Sequence, residues 1–248
     1  MTGWGDDLAE WWLTEVRDDP AYELEVLPLA LDLLAPEAGR TYVDLGCGEG
    51  GLMRRVRDAG ATVIGVDLSA RLVARAAVAG PVVVARLPEL GFLRGASVDG
   101  VTTVLVLEHL EDPIALMAEA ARFTRVGGVF VLIVNHPVLT APGSAPVLDP
   151  DDGEALWRWG DYLGRGFTEE PAGGAGTIRF NHHPTGELLT AAADIGWSLE
   201  RMVERGMAPE RAHADPLLAA QQGIPRLLGV RWVLRERPPG SSPRSCSR

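Results

Sequence analysis

The part of this sequence whose residue types and spacing most directly suggest chemistry is an acidic residue that leads into a glycine-rich turn. The apolar run 42–45 contains Asp44 and is followed by glycines at 46, 48 and 50. Glycines lack a Cβ and tolerate positive φ, so the backbone of such a turn can approach a ligand closely. A helix predicted over 52–59 would point its free N–H groups at the same place. The predicted ligand-binding residues here are Asp44, Gly46, Cys47 (through its backbone), Gly48 and Gly50.

The glycines alone do not define the ligand. Gly46, Gly48 and Gly51 also satisfy the G-x-G-x-x-G spacing of a dinucleotide site. Asp44 discriminates, because a carboxylate beside the turn repels a pyrophosphate and attracts a cation. S-adenosylmethionine (SAM) carries an ammonium and a sulfonium. The turn resembles the first motif of the class I SAM-dependent methyltransferases, an acidic residue leading into G-x-G-x-G.

Further motifs between 42 and 134 extend the resemblance. A predicted second strand, 62–66, ends in Asp67, whose carboxylate could accept both ribose hydroxyls, and Leu68 follows it. The run Leu107 to Pro113, which reads L-E-H-L-x-D-P, resembles the fourth motif of the family. A helix over 114–123, a Gly-Gly turn and a strand over 129–134 resemble the fifth. The resemblance implies that Asp67, Leu68, Leu105 and Glu108 contact the cofactor.

Arg86 departs from the family pattern. It follows the predicted third strand, 82–85, where the family usually has an aspartate that accepts a hydrogen bond from the adenine amino group. A guanidinium cannot accept that bond. Arg86 either stacks on the adenine, or points to solvent while neighbouring backbone and Leu87 hold the adenine. We include both Arg86 and Leu87 among the predicted cofactor residues.

The alternation of β-rich and helical runs from 41 to 134 predicts an α/β fold with a doubly wound, mostly parallel sheet. The motifs fall at the carboxyl ends of its strands, where such sheets bind ligands. The resemblance implies a Rossmann-like sheet of seven strands in the order 3-2-1-4-5-7-6, with strand 7 antiparallel. Its last elements are a helix over 185–193 and strands near 199–203 and 229–235.

We expect one methyltransferase domain over residues 1–237. Residues 1–39 read as a helical segment with four aromatic residues, Trp4, Trp11, Trp12 and Tyr22. In related methyltransferases such a segment lies over the cofactor as a lid. Residues 136–184, rich in proline, glycine and aromatic residues, are predicted to be an insertion that covers the substrate. The Pro- and Ser-rich residues 238–248 are predicted to be disordered.

Composition limits the function classes. The chain has 248 residues, 46% of them hydrophobic, and a net charge of −11, which argues against nucleic acid as a partner. All 23 basic residues are arginines, which excludes a Walker lysine, a pyridoxal Schiff base or a lysine nucleophile and indicates a GC-rich bacterial origin. Two cysteines give neither a disulfide framework nor a metal motif. An acidic start and no apolar run near 18 residues predict a cytoplasmic protein without a membrane partner.

Methyl transfer is an in-line displacement in which geometry supplies most of the catalysis. A general base is needed only for a hydroxyl or a protonated amine, and histidines are the candidates. His109 follows the fourth strand. His136 follows the fifth strand as part of an His-Pro pair, and His182 belongs to an His-His pair before the last helix; a branch of the family has similar pairs. The candidate catalytic residues are therefore His109, His136 and His182, and no metal is expected.

The sequence predicts a SAM-dependent methyltransferase, similar to the small-molecule, type 11-like branch of the family. Its acceptor would be a small molecule with an O, N or C nucleophile, and the protein would be a monomer or a homodimer. One alternative is a SAM-binding protein of the same fold that is non-methylating or repurposed. Another is a nicotinamide-dependent oxidoreductase, which Asp44 disfavours.

Overall fold

The computed structural model describes residues 6–16, 19–172, 176–207 and 221–236. Its strands are β1 (Thr41–Leu45), β2 (Thr62–Asp67), β3 (Val82–Val84), β4 (Val98–Val104), β5 (Thr124–Asn135), β6 (Ala145–Leu148), β7 (Ala155–Arg158), β8 (Gly166–Pro171), β9 (Thr177–His182), β10 (Trp197–Arg205) and β11 (Leu227–Leu234). Its α-helices are α1 (Asp6–Trp11), α2 (Leu27–Leu34), α3 (Gly51–Asp58), α4 (Ala70–Ala76), α5 (Pro113–Phe123), α6 (Pro137–Thr140) and α7 (Thr185–Ile195).

Seven of the strands form the central sheet, in the order β10-β11-β5-β4-β1-β2-β3. β1 to β5 pair in parallel, whereas β11 is antiparallel to both β5 and β10. Counted along the chain within this sheet, the order is 3-2-1-4-5-7-6 with strand 7 reversed. The predicted doubly wound α/β fold is confirmed.

Both faces of the sheet are covered, because successive side chains of a strand point to opposite sides. On β5, Phe130 and Leu132 pack in a cluster with α5 and α7. Val131 and Ile133, which alternate with them, pack in the cluster that contains α2 and α3. These apolar strands therefore read as continuous hydrophobic runs, as expected for a sheet buried on both sides.

Local signals fix where helices begin beside the carboxyl edge of the sheet. The Ser69 hydroxyl accepts a hydrogen bond from the Leu72 N–H at 3.3 Å and caps α4. Asp112 caps α5 by accepting from the Ala115 N–H at 2.9 Å, and Pro113 occupies the first helical position. These caps place the β2–α4 and β4–α5 connections at the same edge.

Residues 136–184 contain ordered structure that the sequence did not predict. After the short helix α6 they form two antiparallel hairpins, β6 with β7 and β8 with β9. The buried His182 ring anchors the second hairpin, since its nitrogens contact the Thr140 hydroxyl at 3.2 Å and the Tyr162 carbonyl at 2.8 Å. These contacts thus join parts of the insertion that lie 20 and 42 residues apart in the sequence.

The N-terminal segment is helical, as predicted: α1 and α2 are joined by π-helical turns at Trp12–Val16 and Tyr22–Val26. Trp4 and the predicted disordered residues 238–248 lie outside the described residues. Within the described ranges, every helix is too short or too polar to cross a membrane.

Candidate functional site

The carboxyl ends of β1, β2, β3 and β4 converge on a cleft of about 860 Å³, which we call the main cleft. The predicted cofactor residues that line it are Gly46, Cys47, Gly48, Asp67, Leu68, Arg86, Leu87 and Leu105. Three other predicted residues, Asp44, Gly50 and Glu108, lie behind its surface.

The three glycines of the turn have different roles. Gly46 has a φ of +74°, and a Cβ there would lie 2.3 Å from Val106 Cγ2. Gly50 has a φ of +86°, and its Cβ would lie 3.0 Å from the Cα of Ala76 in α4. Gly48 has a φ of +54°, and no atom lies within 4 Å of where its Cβ would be. Gly46 and Gly50 therefore permit packing, whereas Gly48 leaves open the space that a ligand needs.

Asp67 links the glycine turn to the end of β2. One carboxylate oxygen accepts a hydrogen bond from the Gly48 N–H and the other from the Ser69 N–H, both at 2.9 Å. Burial raises the pKa of Asp67, and the backbone hydrogen bonds oppose that rise. The carboxylate thus fixes the shape of the turn and lines the main cleft beside it.

Asp44 is buried beneath the same turn. Its carboxylate accepts a hydrogen bond of 2.7 Å from the Thr102 hydroxyl. Burial raises the pKa of Asp44 to about 7, the bond from Thr102 lowers it, and the nearby Asp67 charge adds to the rise. A cation bound in the main cleft would stabilise the ionised carboxylate, so Asp44 acts on a ligand through its charge.

Glu108 follows β4 in a short helical turn and lines neither the main cleft nor the second cavity described below. Its Oε1 accepts hydrogen bonds from the Asn135 backbone N–H at 3.2 Å and from Asn135 Nδ2 at 3.1 Å. Its Oε2 is buried without a hydrogen-bond partner among the described residues. Burial raises the pKa of Glu108 to about 7, and the bonds from Asn135 lower it. The observed contacts make Glu108 a residue that orients Asn135.

Part of the wall of the main cleft is formed by Leu105 and by two aromatic residues of the N-terminal segment. Leu105, at the end of β4, has a φ of +55°, an uncommon conformation for a residue other than glycine, and it turns the chain along the cleft wall. Trp12 and Tyr22, from the predicted lid, line the cleft and meet edge to face with ring centroids 5.4 Å apart. Burial and the charges of Asp44 and Glu49 raise the pKa of Tyr22, so its phenol stays protonated.

A second cavity of about 940 Å³ adjoins the main cleft, and the two share Trp12, Tyr22, Leu105 and His109. Its walls come from distant parts of the chain: the N-terminal segment, the β8–β9 hairpin and the residues at the start of β11. Asn135, Phe180 and Arg226 line it. No local sequence pattern identifies these three residues, because they meet only in the folded chain.

His109 lies where the two cavities meet. Its Nδ1 lies 2.9 Å from the Arg179 carbonyl oxygen, and because a carbonyl only accepts, Nδ1 carries the proton. The ring is tilted against Phe180 with centroids 5.0 Å apart. Burial lowers the pKa of His109 to about 4. The imidazole is therefore neutral near pH 7, with the lone pair on Nε2.

The other two candidate catalytic histidines line neither cavity. His136 is buried; its Nδ1 accepts from the Val138 N–H at 3.1 Å and its Nε2 lies 2.9 Å from Glu204 Oε1. His182 is buried between Thr140 and the Tyr162 carbonyl. Both rings connect secondary structure elements, so we give them no part in the reaction proposed below.

Three features of the site fit SAM. Gly48 lines the cleft with open space where a Cβ would be, the carboxylate of Asp67 lines the cleft, and the carboxylate of Asp44 is buried beneath the glycine turn. Among the described residues, no group of three or more His, Cys, Asp and Glu side chains could hold a metal ion. The site therefore offers binding groups for an organic cation.

Comparisons with known proteins agree with this geometry. The model of the methyltransferase domain family matches residues 43–132. A ubiquinone biosynthesis O-methyltransferase of Paracidovorax citrulli is 34% identical over 138 residues, which are 51% of this chain and 57% of that protein. The chain thus matches little more than half the length of this curated relative.

Solved structures match over more of the chain. A SAM-dependent methyltransferase of Mesorhizobium loti is 30% identical with a TM-score of 0.73, and the match covers 87% of this chain and 99% of that one. A protein of Listeria monocytogenes described as a putative SAM-dependent methyltransferase has the same fold, with 20% identity, a TM-score of 0.73, and coverage of 88% and 100%. This chain belongs to the S-adenosylmethionine-dependent methyltransferases, and SAM is its cofactor.

Proposed function

We propose that the chain binds SAM in the main cleft and transfers its methyl group to a small molecule held in the second cavity. The observation that carries the proposal is the junction of the two cavities at Trp12, Tyr22, Leu105 and His109. Methyl donor and acceptor must meet within about 3–3.5 Å and in line for transfer. A shared wall is the arrangement that such contact requires.

In this proposal, the end of the cofactor that carries the methyl group lies near this junction. Gly48 leaves room for the cofactor, Asp67 offers a carboxylate to the ribose hydroxyls, and Asp44 supplies negative charge beneath the turn. When bound, SAM supplies an electrophilic methyl group: the acceptor lone pair bonds to the methyl carbon, the C–S bond breaks, and its electron pair stays on sulfur as S-adenosylhomocysteine (SAH) forms. Any proton on the nucleophile is then released to solvent or to a neighbouring base.

His109 is the residue that we propose touches the acceptor. Its neutral ring lies on the wall that the two cavities share, against Phe180, where it can contact the acceptor. With its pKa lowered to about 4, it is a weak base for an alcohol, whose proton is far more tightly held. We therefore propose that His109 mainly positions the nucleophile.

Charge and similarity favour a small-molecule acceptor. A net charge of −11 disfavours a nucleic acid, which would need a basic track along its phosphates. The P. citrulli relative carries a name that assigns it to ubiquinone biosynthesis. Residues from the N-terminal segment, the β8–β9 hairpin and the start of β11 line the second cavity, a concave site of the kind that binds small molecules.

The test is transfer of tritium from methyl-labelled SAM when the full chain is incubated with a bacterial extract separated into dialysable molecules, protein and nucleic acid. We expect label in the dialysable fraction. The Gly48→Ala variant is the control: its Cβ enters the space facing the cleft, so it should lose transfer. Label only in protein or nucleic acid would contradict the proposal. SAM binding without transfer to any fraction would favour the non-methylating alternative, for which Arg86 is the sequence argument.

A further inference from the structure

We propose that the acceptor carries a protonated amine, which the second cavity recognises by charge and by aromatic contact. The inference rests on the proposed function, because it assigns a chemical class to the molecule bound beside the main cleft. It comes from the charged side chains and the aromatic rings that the described residues contribute to the cavity wall.

The ionisable side chains of the wall are unequal in sign. Among the described residues, the carboxylates that line the second cavity are Glu25, Glu170 and Asp19, the last of which also accepts a hydrogen bond from the Ala21 N–H at 2.9 Å, against one guanidinium, Arg226. Asp19 and Glu25 lie in or beside the N-terminal π-helical turn, and Glu170 comes from β8, so the carboxylates reach the cavity from two separate segments. An ammonium in this space would be attracted from both sides. A carboxylate or phosphate bound to Arg226 would share the cavity with three like charges.

Asn135 adds a neutral acceptor to the same wall. Its Nδ2 donates to Glu108, which as a carboxylate can only accept, so the orientation of the amide follows from the partner. This orientation makes the carbonyl oxygen of Asn135, which lines the cavity, an acceptor for a ligand N–H, and the second hydrogen of Nδ2 a donor. Asn135 can therefore accept a hydrogen bond from an ammonium in this cavity.

The remaining wall is aromatic. Trp11 and Trp12 on the N-terminal side and Phe180 on the β8–β9 hairpin line the cavity. The face of an aromatic ring attracts a cation, with an effect that increases as the cation loses water. Aromatic faces together with carboxylates are a combination that favours an organic ammonium over a neutral alcohol of the same shape.

The test compares three molecules that share an indole ring and differ in charge: tryptamine, the neutral indole-3-ethanol and the anionic indole-3-acetate. Their affinities are measured by calorimetry for the full chain saturated with SAH, so that the main cleft is filled. We expect tryptamine to bind about tenfold more tightly than indole-3-ethanol and indole-3-acetate to bind most weakly. Equal binding of tryptamine and the alcohol, tighter binding of the acid, or no binding of tryptamine would overturn the inference.

Two variants on one strand locate the effect. Glu170→Gln should weaken tryptamine binding about threefold to fivefold and leave the alcohol unchanged. Glu169→Gln is the matched control, because it removes the same charge from the adjacent residue, whose carboxylate pairs with Arg179 at 3.1 Å and does not line the cavity. Equal effects of the two variants would contradict recognition by Glu170. Failure of SAH to bind at all would instead refute the proposed function.

Discussion

The main cleft and the second cavity share a wall but are built in different ways. The main cleft is assembled from strand ends within residues 46–110, together with Trp12 and Tyr22. The second cavity combines residues from 11 to 227, on the N-terminal segment, the β8–β9 hairpin and the start of β11. The main cleft, which is the methyl-donor side, therefore depends on the local backbone of a few turns. The second cavity, which is the proposed methyl-acceptor side, depends on how distant segments of the chain pack together.

Substitution of Asp67 should have the largest effect on the donor side. Asp67→Ala removes the acceptor of the Gly48 and Ser69 N–H groups and the carboxylate that we expect to bind the ribose. We expect SAM to bind about 100-fold more weakly, because hydrogen bonds to charged groups are worth about 1.5–3 kcal/mol each. Calorimetric titration measures the change. Asp58→Ala, an exposed carboxylate at the end of α3, serves as control, and a similar loss in both variants would contradict the assignment.

The pH dependence of SAM binding should separate the two buried carboxylates. With its pKa raised to about 7, Asp44 is protonated below that pH, and a cationic ligand favours the ionised form. SAM affinity should therefore rise about tenfold from about pH 5.5 to about pH 7 and level off above. Asp44→Asn should remove this rise.

Glu108→Gln is the matched control for that experiment. Its pKa is also raised to about 7, but Glu108 lies behind the second cavity and bonds Asn135. We expect this variant to keep the pH dependence of SAM affinity. If Glu108→Gln lost the pH dependence of SAM affinity and Asp44→Asn kept it, Glu108 and not Asp44 would be the carboxylate that interacts with the charge of the cofactor.

A substitution in the second cavity should leave the affinity for SAM unchanged. Phe180→Ala removes a ring from the second cavity and from contact with His109. We expect kcat/KM for an acceptor found by tritium transfer to fall about tenfold, the effect of an aromatic contact worth about 0.5–1.5 kcal/mol, while the Kd of SAM stays within about twofold. Phe167→Ala, on the same hairpin but exposed and stacked with Arg179, is the control. If Phe180→Ala also weakened SAM binding about tenfold, the two cavities would not bind donor and acceptor separately.

The smallest effect is expected at Arg86. This side chain is exposed and lines the main cleft. Arg86→Ala should weaken SAM binding about threefold, the scale of a guanidinium stacked at an exposed site. Calorimetry is again the measurement, with Arg94→Ala as an exposed control of equal charge change. A loss as large as that of Asp67→Ala would make Arg86 a main determinant of cofactor binding.

Much of the methyl-donor side could be predicted from sequence because its residues lie in short motifs at the ends of strands. The glycine turn and the alternation of strands and helices are local patterns, whereas the order of strands was implied by the resemblance to the family. The pattern was less informative about what each residue does: Gly46 and Gly50 make room for Val106 and Ala76, and only Gly48 faces open space. Such differences depend on which side of the turn the neighbouring strand and helix pack.

The three candidate catalytic histidines show most clearly what could not be predicted from the sequence. His109, His136 and His182 follow strand ends and have the same chemistry in the sequence, but their partners lie 70, 68 and 42 residues away. Those partners place His109 at the junction of the cavities and bury the other two in structural contacts. No local pattern encodes such pairings.

The sequence by itself determined the α/β fold and the cofactor, since both follow from alternating apolar strands and from glycines and carboxylates at fixed spacing. Only the tertiary structure decided which histidine meets both cavities and which residues line the acceptor side. The physical reason is that backbone turns form from neighbouring residues, whereas a cavity between docked segments is formed by side chains that meet only after the chain has folded.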